Sequence, residues 1–188
     1  MQDVCEEKIA WCKKSCGLYF QAAKQTRYLM STAVVTDTNV KQAVPFFGVR
    51  NMEASLKFYI AGLGFKMKSW WIPDRAEDNP DGRIRWCWLE LGEAALMLQE
   101  FRKHGEHEVY VDGRIAEVPE NLGWGVSINF QCQDSLALYR EFKSRGVQIA
   151  KTPFVGNRLW CVNVVDPDGY KLWFNSPTDA PEESELEE

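Results

Sequence analysis

Apolar and polar positions alternate with a period of two over several short stretches and with helical spacing over two longer ones, and this order of patterns occurs twice along the chain. From Val44 the residues VPFFGVR predict a strand, NMEASLKFYIAGL a helix and GFKMKSWW a second strand. From Ser127 the residues SINFQCQ, DSLALYREFKSRG and VQIAK predict the same three elements in the same order. Asn51 and Asp134 stand at the starts of the two helices, where a short side-chain oxygen can accept an otherwise unpaired backbone N–H. Gly64 and Gly146 close them, where the chain must turn through positive φ. The offset between copies is 83 residues at the caps and 82 at the glycines.

The later strands repeat as well. IRWCWLELGEAALML is echoed by RLWCVNVVDPDGYKLWF, with Trp86-Cys87 set against Trp160-Cys161, which makes Trp160 the expected counterpart of Trp86. Before its Trp-Cys pair the first copy carries about eight extra residues within IPDRAEDNPDG, expected to form a polar loop or flap. Asp166-Pro167-Asp168-Gly169 predicts a tight turn between the last two strands. One helix per unit, without a continuing alternation of strand and helix, argues against a doubly wound nucleotide-binding fold. The expected class is α+β: two βαβββ modules forming a curved mixed sheet, a half-barrel with helices outside.

These patterns divide the chain into an N-terminal extension (1–41), a domain (42–176) made of module one (42–100), a linker (101–122) and module two (123–176), and an acidic tail (177–188) expected to be disordered. Ile9, Trp11, Leu18, Tyr19 and Phe20 supply only a loose apolar face to a helix over residues 4–28, and a polar lead-in follows Met30, which is a candidate start of the protein. The net charge of −5 rests on the tail, whose last eight residues hold five glutamates and leave a neutral body behind. Neither nucleic acid nor a membrane surface is thus an expected partner. No apolar run approaches the roughly 18 residues needed to cross a bilayer, and with a polar N-terminus in place of a secretory pattern a cytoplasmic location is expected. Cys87, Cys132 and Cys161 lie in strand-like runs and read as small core residues, while Cys5, Cys12 and Cys16 lack a CxxC spacing. His104 and His107, with Glu106 and Glu108, stand together on a predicted loop.

The segment AVPFFGVRNMEASLKFYIAGLGF, with Ser55, Phe58 and Tyr59 in an S-x-x-F-Y arrangement, resembles the opening strand and helix of the glyoxalase/bleomycin-resistance/extradiol-dioxygenase (vicinal oxygen chelate) superfamily. DPDGYKLWF resembles its closing hairpin, and the likeness covers about residues 42–176. It is closest to the bleomycin-resistance proteins. The resemblance implies one divalent metal inside the curved sheet, held by His, Gln or Glu on the first and last strands of each copy. The matching positions here are Val44, Met97, Ser127 and Trp173, none of which offers the nitrogen or carboxylate donor such a metal needs. No metal and no other cofactor is therefore expected.

With period-two alternation the concave face should carry Val44, Phe46, Met97, Gln99, Ser127, Asn129, Gln131, Lys171 and Trp173, joined by Trp86, Trp88 and Glu90 opposite Cys87, Leu89 and Leu91. Flat rings among amides and one carboxylate suit a planar or amphipathic organic ligand. The expected ligand-binding set is Phe46, Trp86, Trp88, Glu90, Met97, Gln99, Ser127, Asn129, Gln131 and Trp173. The resemblance implies a metal-free protein that sequesters a small molecule such as an antibiotic, assembled as a homodimer. A glyoxalase-like lyase or isomerase with Glu90 as catalytic base is the alternative, and a non-catalytic structural or interaction module with a filled core is the third.

Overall fold

The computed structural model describes residues 41–187, apart from 75–79, 104–107 and 112–113. The readings made above for residues 1–40, for most of the flap, and for His104, Glu106 and His107 lie outside the described residues.

The chain forms β1 (Phe46–Val49), α1 (Met52–Leu56, continuing as a π-helix over Lys57–Gly62), β2 (Lys66–Trp71), β3 (Trp86–Leu91) and β4 (Ala94–Glu100). Three short strands follow, β5 (Arg102–Lys103), β6 (Glu108–Val111) and β7 (Arg114–Glu117). The second module then runs β8 (Ser127–Gln131), α2 (Ser135–Ser144), β9 (Ile149–Gly156), β10 (Leu159–Val165) and β11 (Lys171–Pro177). Two four-stranded mixed sheets result, ordered β1-β4-β3-β2 and β8-β11-β10-β9, and they are open rather than closed. In each the first strand pairs in parallel with the last and the other neighbours are antiparallel. The stretch expected as a plain linker carries a third, antiparallel sheet ordered β5-β6-β7.

The caps form as the spacing requires. Asn51 Oδ1 accepts the Ala54 N–H at 3.1 Å and Asp134 Oδ1 the Ala137 N–H at 2.9 Å. Gly64 and Gly146 take φ of 84° and 79° behind their helices. The first helix departs from the second in widening to π geometry, with Leu63 N–H reaching back five residues to the Phe58 carbonyl. Phe47, Val49, Cys87, Leu89, Leu96 and Leu98 of the first sheet and Phe130, Val162, Val164, Leu172 and Phe174 of the second are buried in one continuous core with Tyr59, Leu63, Tyr139 and Phe142 of the helical segments. Each large aliphatic or aromatic side chain fully buried there contributes about 1.5–3 kcal/mol.

The turn between β10 and β11 binds the modules together. Asp166 Oδ2 accepts the buried Tyr59 hydroxyl at 2.9 Å, while its Oδ1 accepts the Asp168 and Tyr170 N–H groups at 2.9 and 2.8 Å. Asp168 pairs with the Arg50 guanidinium at 3.0 Å, and Arg50 also donates to the Glu120 carbonyl. Tyr170 stacks on Phe47 at 4.0 Å between centroids and donates its hydroxyl to the Gly48 carbonyl. A Cβ on Gly123 would lie 2.1 Å from the Gly169 backbone, so the segment leading into β8 can approach this turn only without a side chain there.

The acidic tail is ordered, against expectation. Val155 N–H donates to the Ser184 carbonyl, Glu183 N–H to Val155 and Leu186 N–H to Pro153, so the tail lies along the outer edge of β9. Glu182 accepts the N–H groups of Asn157 and Arg158, two residues at positive φ in the β9–β10 turn, at 3.0 and 2.7 Å. Leu186 packs on the core. Composition predicts a solvated end, but an edge strand with unpaired backbone groups and one apolar anchor is enough to hold it.

Candidate functional site: the open faces of two sheets

The faces of β1, β3, β4, β8 and β11 divide as alternation predicts, with Cys87, Leu89, Leu96, Leu98, Leu172 and Phe174 buried toward the helices. On the open face of the first sheet, neighbouring strands bring Phe46, Met97, Trp88 and Ser69 into one row and Gly48, Gln99, Trp86 and Trp71 into the next. Phe46 is 54% exposed, unusual for a phenylalanine at the end of a paired strand. A Cβ on Gly48 would fall 2.1 Å from the Phe101 ring, so the missing side chain makes room for that ring at the end of this aromatic floor. Val44 precedes β1 and is half-buried.

Glu90 shares this face but is already engaged. Its Oε1 accepts the Trp88 indole N–H at 3.2 Å and its Oε2 meets the Lys68 ammonium at 3.3 Å. A carboxylate held this way fixes the Trp88 ring and has its charge balanced, which suits it poorly to abstracting a proton. Arg85 and Glu100 form a second pair at the end of the sheet, with Arg85 also bound to Asp81 at 2.9 Å.

The second sheet presents a different chemistry. Asn129, Trp173, Asn163 and Lys151 form one row, and Gln131, Asn175, Cys161 and Phe154 the next. Ser127 and Lys171 pair at the near end, and both are exposed. Trp173 packs edge-on against Phe154 at 6.2 Å, and Lys151 Nζ lies over the Phe154 ring at 4.1 Å. Asn175 Nδ2 donates to Asn129 Oδ1 at 3.2 Å. The expected ligand-binding residues thus gather as two groups: Phe46, Trp86, Trp88, Glu90, Met97 and Gln99 on one sheet, Ser127, Asn129, Gln131 and Trp173 on the other.

The matching of Trp86 with Trp160 is off by one residue. Met97 and Trp173 are equivalent, each on the last strand, and they face Trp88 and Asn163 respectively. Cys161 is therefore the counterpart of Trp86, and Trp160 pairs with buried Val155 and Ser176 on the helix side. The repeated Trp-Cys dipeptide is a coincidence of composition. It also moves Cys161 from the expected core to the open face, half-buried.

Sequence reasoning missed Ser69, Trp71, Phe101, Lys151, Phe154, Asn163 and Asn175. Strict alternation from Lys66 would put Trp70 on the open face, but a bulge between Met67 and Ser69 shifts the phase and puts Trp71 opposite Trp86. A similar irregularity between Cys161 and Asn163 displaces β9. Trp124, 84% exposed between Gly123 and Gly125, also carried no periodic signal.

Among the described residues no three His, Cys, Asp or Glu side chains gather where they could hold a metal ion. The side chains at Val44, Met97, Ser127 and Trp173 do not fit the divalent metal that the resemblance implies. Cys87, Cys132 and Cys161 are free thiols. Burial pushes Cys87 up to about 11 and raises the other two, so none is a ready thiolate nucleophile. No helix among the described residues is long and apolar enough to cross a membrane.

No curated protein sequence matches the chain. A glyoxalase/bleomycin resistance protein/dioxygenase from Nocardioides is similar in structure, with a TM-score of 0.52 at 17% identity, covering 92% of this chain and 99% of that one. TnmS3, an antibiotic binding protein from Streptomyces sp. CB03234, aligns with a TM-score of 0.48 at 19% identity, over 75% of this chain and 100% of its own. At 17% identity the likeness to the Nocardioides protein is one of fold. The sequence profile of the Glyoxalase/Bleomycin resistance protein/Dioxygenase superfamily matches residues 41–174, spanning both modules. With two βαβββ units built around one core, the chain belongs to that superfamily.

Proposed function

We propose that this protein binds and sequesters a planar aromatic or amphipathic small molecule, such as an antibiotic, without a metal and without turning it over. The observation that carries this reading is the open face of the first sheet, where Trp71, Trp86, Trp88, Phe46 and Met97 lie side by side, half-buried or exposed. Solvent-facing indoles in register offer flat, polarizable area to a flat partner, and Met adapts to its outline. Glu90 supports binding rather than catalysis, since its carboxylate is committed to Trp88 and Lys68. Lys68 is the exposed member of that ion pair, so a cationic ligand beside the Trp88 indole can take its place on the carboxylate and gain from both.

Tryptophan fluorescence tests the reading directly. Bleomycin-type glycopeptides, aromatic antibiotics and glutathione adducts are titrated into the protein. A binding ligand quenches emission, and Trp88→Ala weakens its affinity tenfold or more, while Glu90→Gln weakens cationic ligands more than neutral ones. Hits that bind both variants as well as the parent protein would show that the face is wrongly assigned. Conversion of a glutathione hemithioacetal by the metal-free protein would replace sequestration by a lyase or isomerase activity.

A further inference from the structure

The second sheet carries a group whose chemistry is incomplete. Asn175 is only 5% exposed, and its Oδ1 accepts no hydrogen bond, although its Nδ2 is satisfied by Asn129. Asn175 lies on β11 in alternation with the core residues Leu172 and Phe174, which directs its carboxamide to the open face. A buried amide oxygen without a donor is destabilising, so this position favours any partner that brings an N–H or O–H. Its polar neighbours on β8 are amides, and the half-buried Cys161 thiol lies opposite on β10. Asn129 spends its oxygen on Asn175 and keeps its nitrogen to donate, and Gln131 is Asn175's neighbour on β8. Trp173, two residues back on β11, supplies a ring next to the amides, with Phe154 edge-on to it and Lys151 over the Phe154 ring.

From this we infer that the open face of module two is a subsite for a flat carboxamide or lactam edge that parts the exposed Asn129 and Gln131 side chains and brings its N–H to Asn175 Oδ1. The neighbouring C=O of the same ligand accepts from Asn129 Nδ2 or Gln131 Nε2, and the ring lies along Trp173. A donor and an acceptor side by side match a side-chain amide better than a single hydroxyl or a charge does, because Asn and Gln each present both. The inference rests on the reading that the protein binds small molecules, but it concerns the other sheet and a different part of a ligand.

A matched pair of probes isolates the hydrogen bond. In 2-quinolone an N–H adjoins the carbonyl, and in coumarin an oxygen replaces that N–H in the same ring frame. Each is titrated into the uniformly 15N-labelled full chain, following the side-chain amide resonances of Asn175, Asn129 and Gln131. The expected result is that 2-quinolone binds at least tenfold more tightly than coumarin and shifts these resonances, since an analogue lacking the donor leaves the buried oxygen unpaired. Asn175→Leu removes the preference. Asn129→Asp combined with Gln131→Glu, both at exposed positions, keeps the acceptor for Asn175 Nδ2 but removes the N–H groups offered to the ligand carbonyl, and weakens both probes, which covers the case in which the leucine variant does not fold. Equal affinity for the two probes would mean that water satisfies Asn175, and would overturn the inference, as would failure of both to bind at millimolar concentration. Trp88→Ala leaves the quinolone preference intact, so loss of the first-sheet reading and loss of this one are told apart.

Discussion

The Tyr59→Phe substitution tests how the two modules are held together. Tyr59 is fully buried on the π-helical segment of module one, and its hydroxyl donates to Asp166 Oδ2 in the last turn of module two. The phenyl ring keeps the packing against Phe58 and Phe65, so the change removes one hydrogen bond and leaves a buried carboxylate oxygen short of a donor. Hydrogen bonds to charged groups contribute about 1.5–3 kcal/mol, and about 2 kcal/mol is the expected loss near neutral pH. For a domain of this size that lowers Tm by roughly 4–8 °C. The loss depends on pH in a definite direction. Burial of Asp166 raises its pKa from an ordinary 3.8 to about 6, against the lowering effect of its hydrogen bonds. The folded state therefore holds this proton more tightly than the unfolded chain, and the resulting stability is present at low pH and lost as pH rises from 3.8 through 6. Two pKa units set an upper limit of about 3 kcal/mol on that contribution. Below pH 6 the carboxyl is neutral, the Tyr59 bond loses its charge assistance, and the cost of Tyr59→Phe shrinks. Urea denaturation of parent and variant at pH 7.5 and pH 5 measures both effects. A cost below 0.5 kcal/mol at pH 7.5, or one that grows on acidification, would refute the view of this turn as the clasp between modules.

Three further outcomes are expected. Deleting residues 178–188 removes three backbone hydrogen bonds to β9, the two accepted by Glu182 and the Leu186 contact, a loss of about 3 kcal/mol. Hydrogen exchange at the Val155 amide should accelerate strongly, and an unchanged rate would show that the tail does not protect that edge. Elemental analysis of the purified protein should find no stoichiometric zinc, nickel, manganese or iron, because Val44, Met97, Ser127 and Trp173 lack suitable donors; one metal per chain would contradict this. Light scattering should report a homodimer, since Trp70, Trp71 and Ile72 leave an exposed apolar stretch at the β2 edge, and a strict monomer at micromolar concentrations would exclude it.

Sequence alone determined the features whose physical cause is local. Caps at Asn51 and Asp134, the glycine at the end of each helix and the Asp-Pro-Asp-Gly turn are decided by a few neighbouring residues, and they announced two modules of like pattern. Alternation separated Cys87 and Leu89 from Trp86 and Trp88 because a regular paired strand leaves no other choice. Where a strand is irregular the same rule fails, and the bulge after Met67 gave the open face to Trp71 instead of Trp70. The repeated Trp-Cys pair misled for a related reason: residues are equivalent through their strand partners, and those partners become visible only when the sheet is assembled. Tertiary structure alone decided that Asp166 and Asp168 reach back more than 100 residues to Tyr59 and Arg50. It also decided that the acidic tail is bound and that Glu90 is spent on Trp88 and Lys68. Each of these is a meeting of groups distant in the chain. Composition fixes how strongly such groups would interact, but only the packed fold fixes whether they meet.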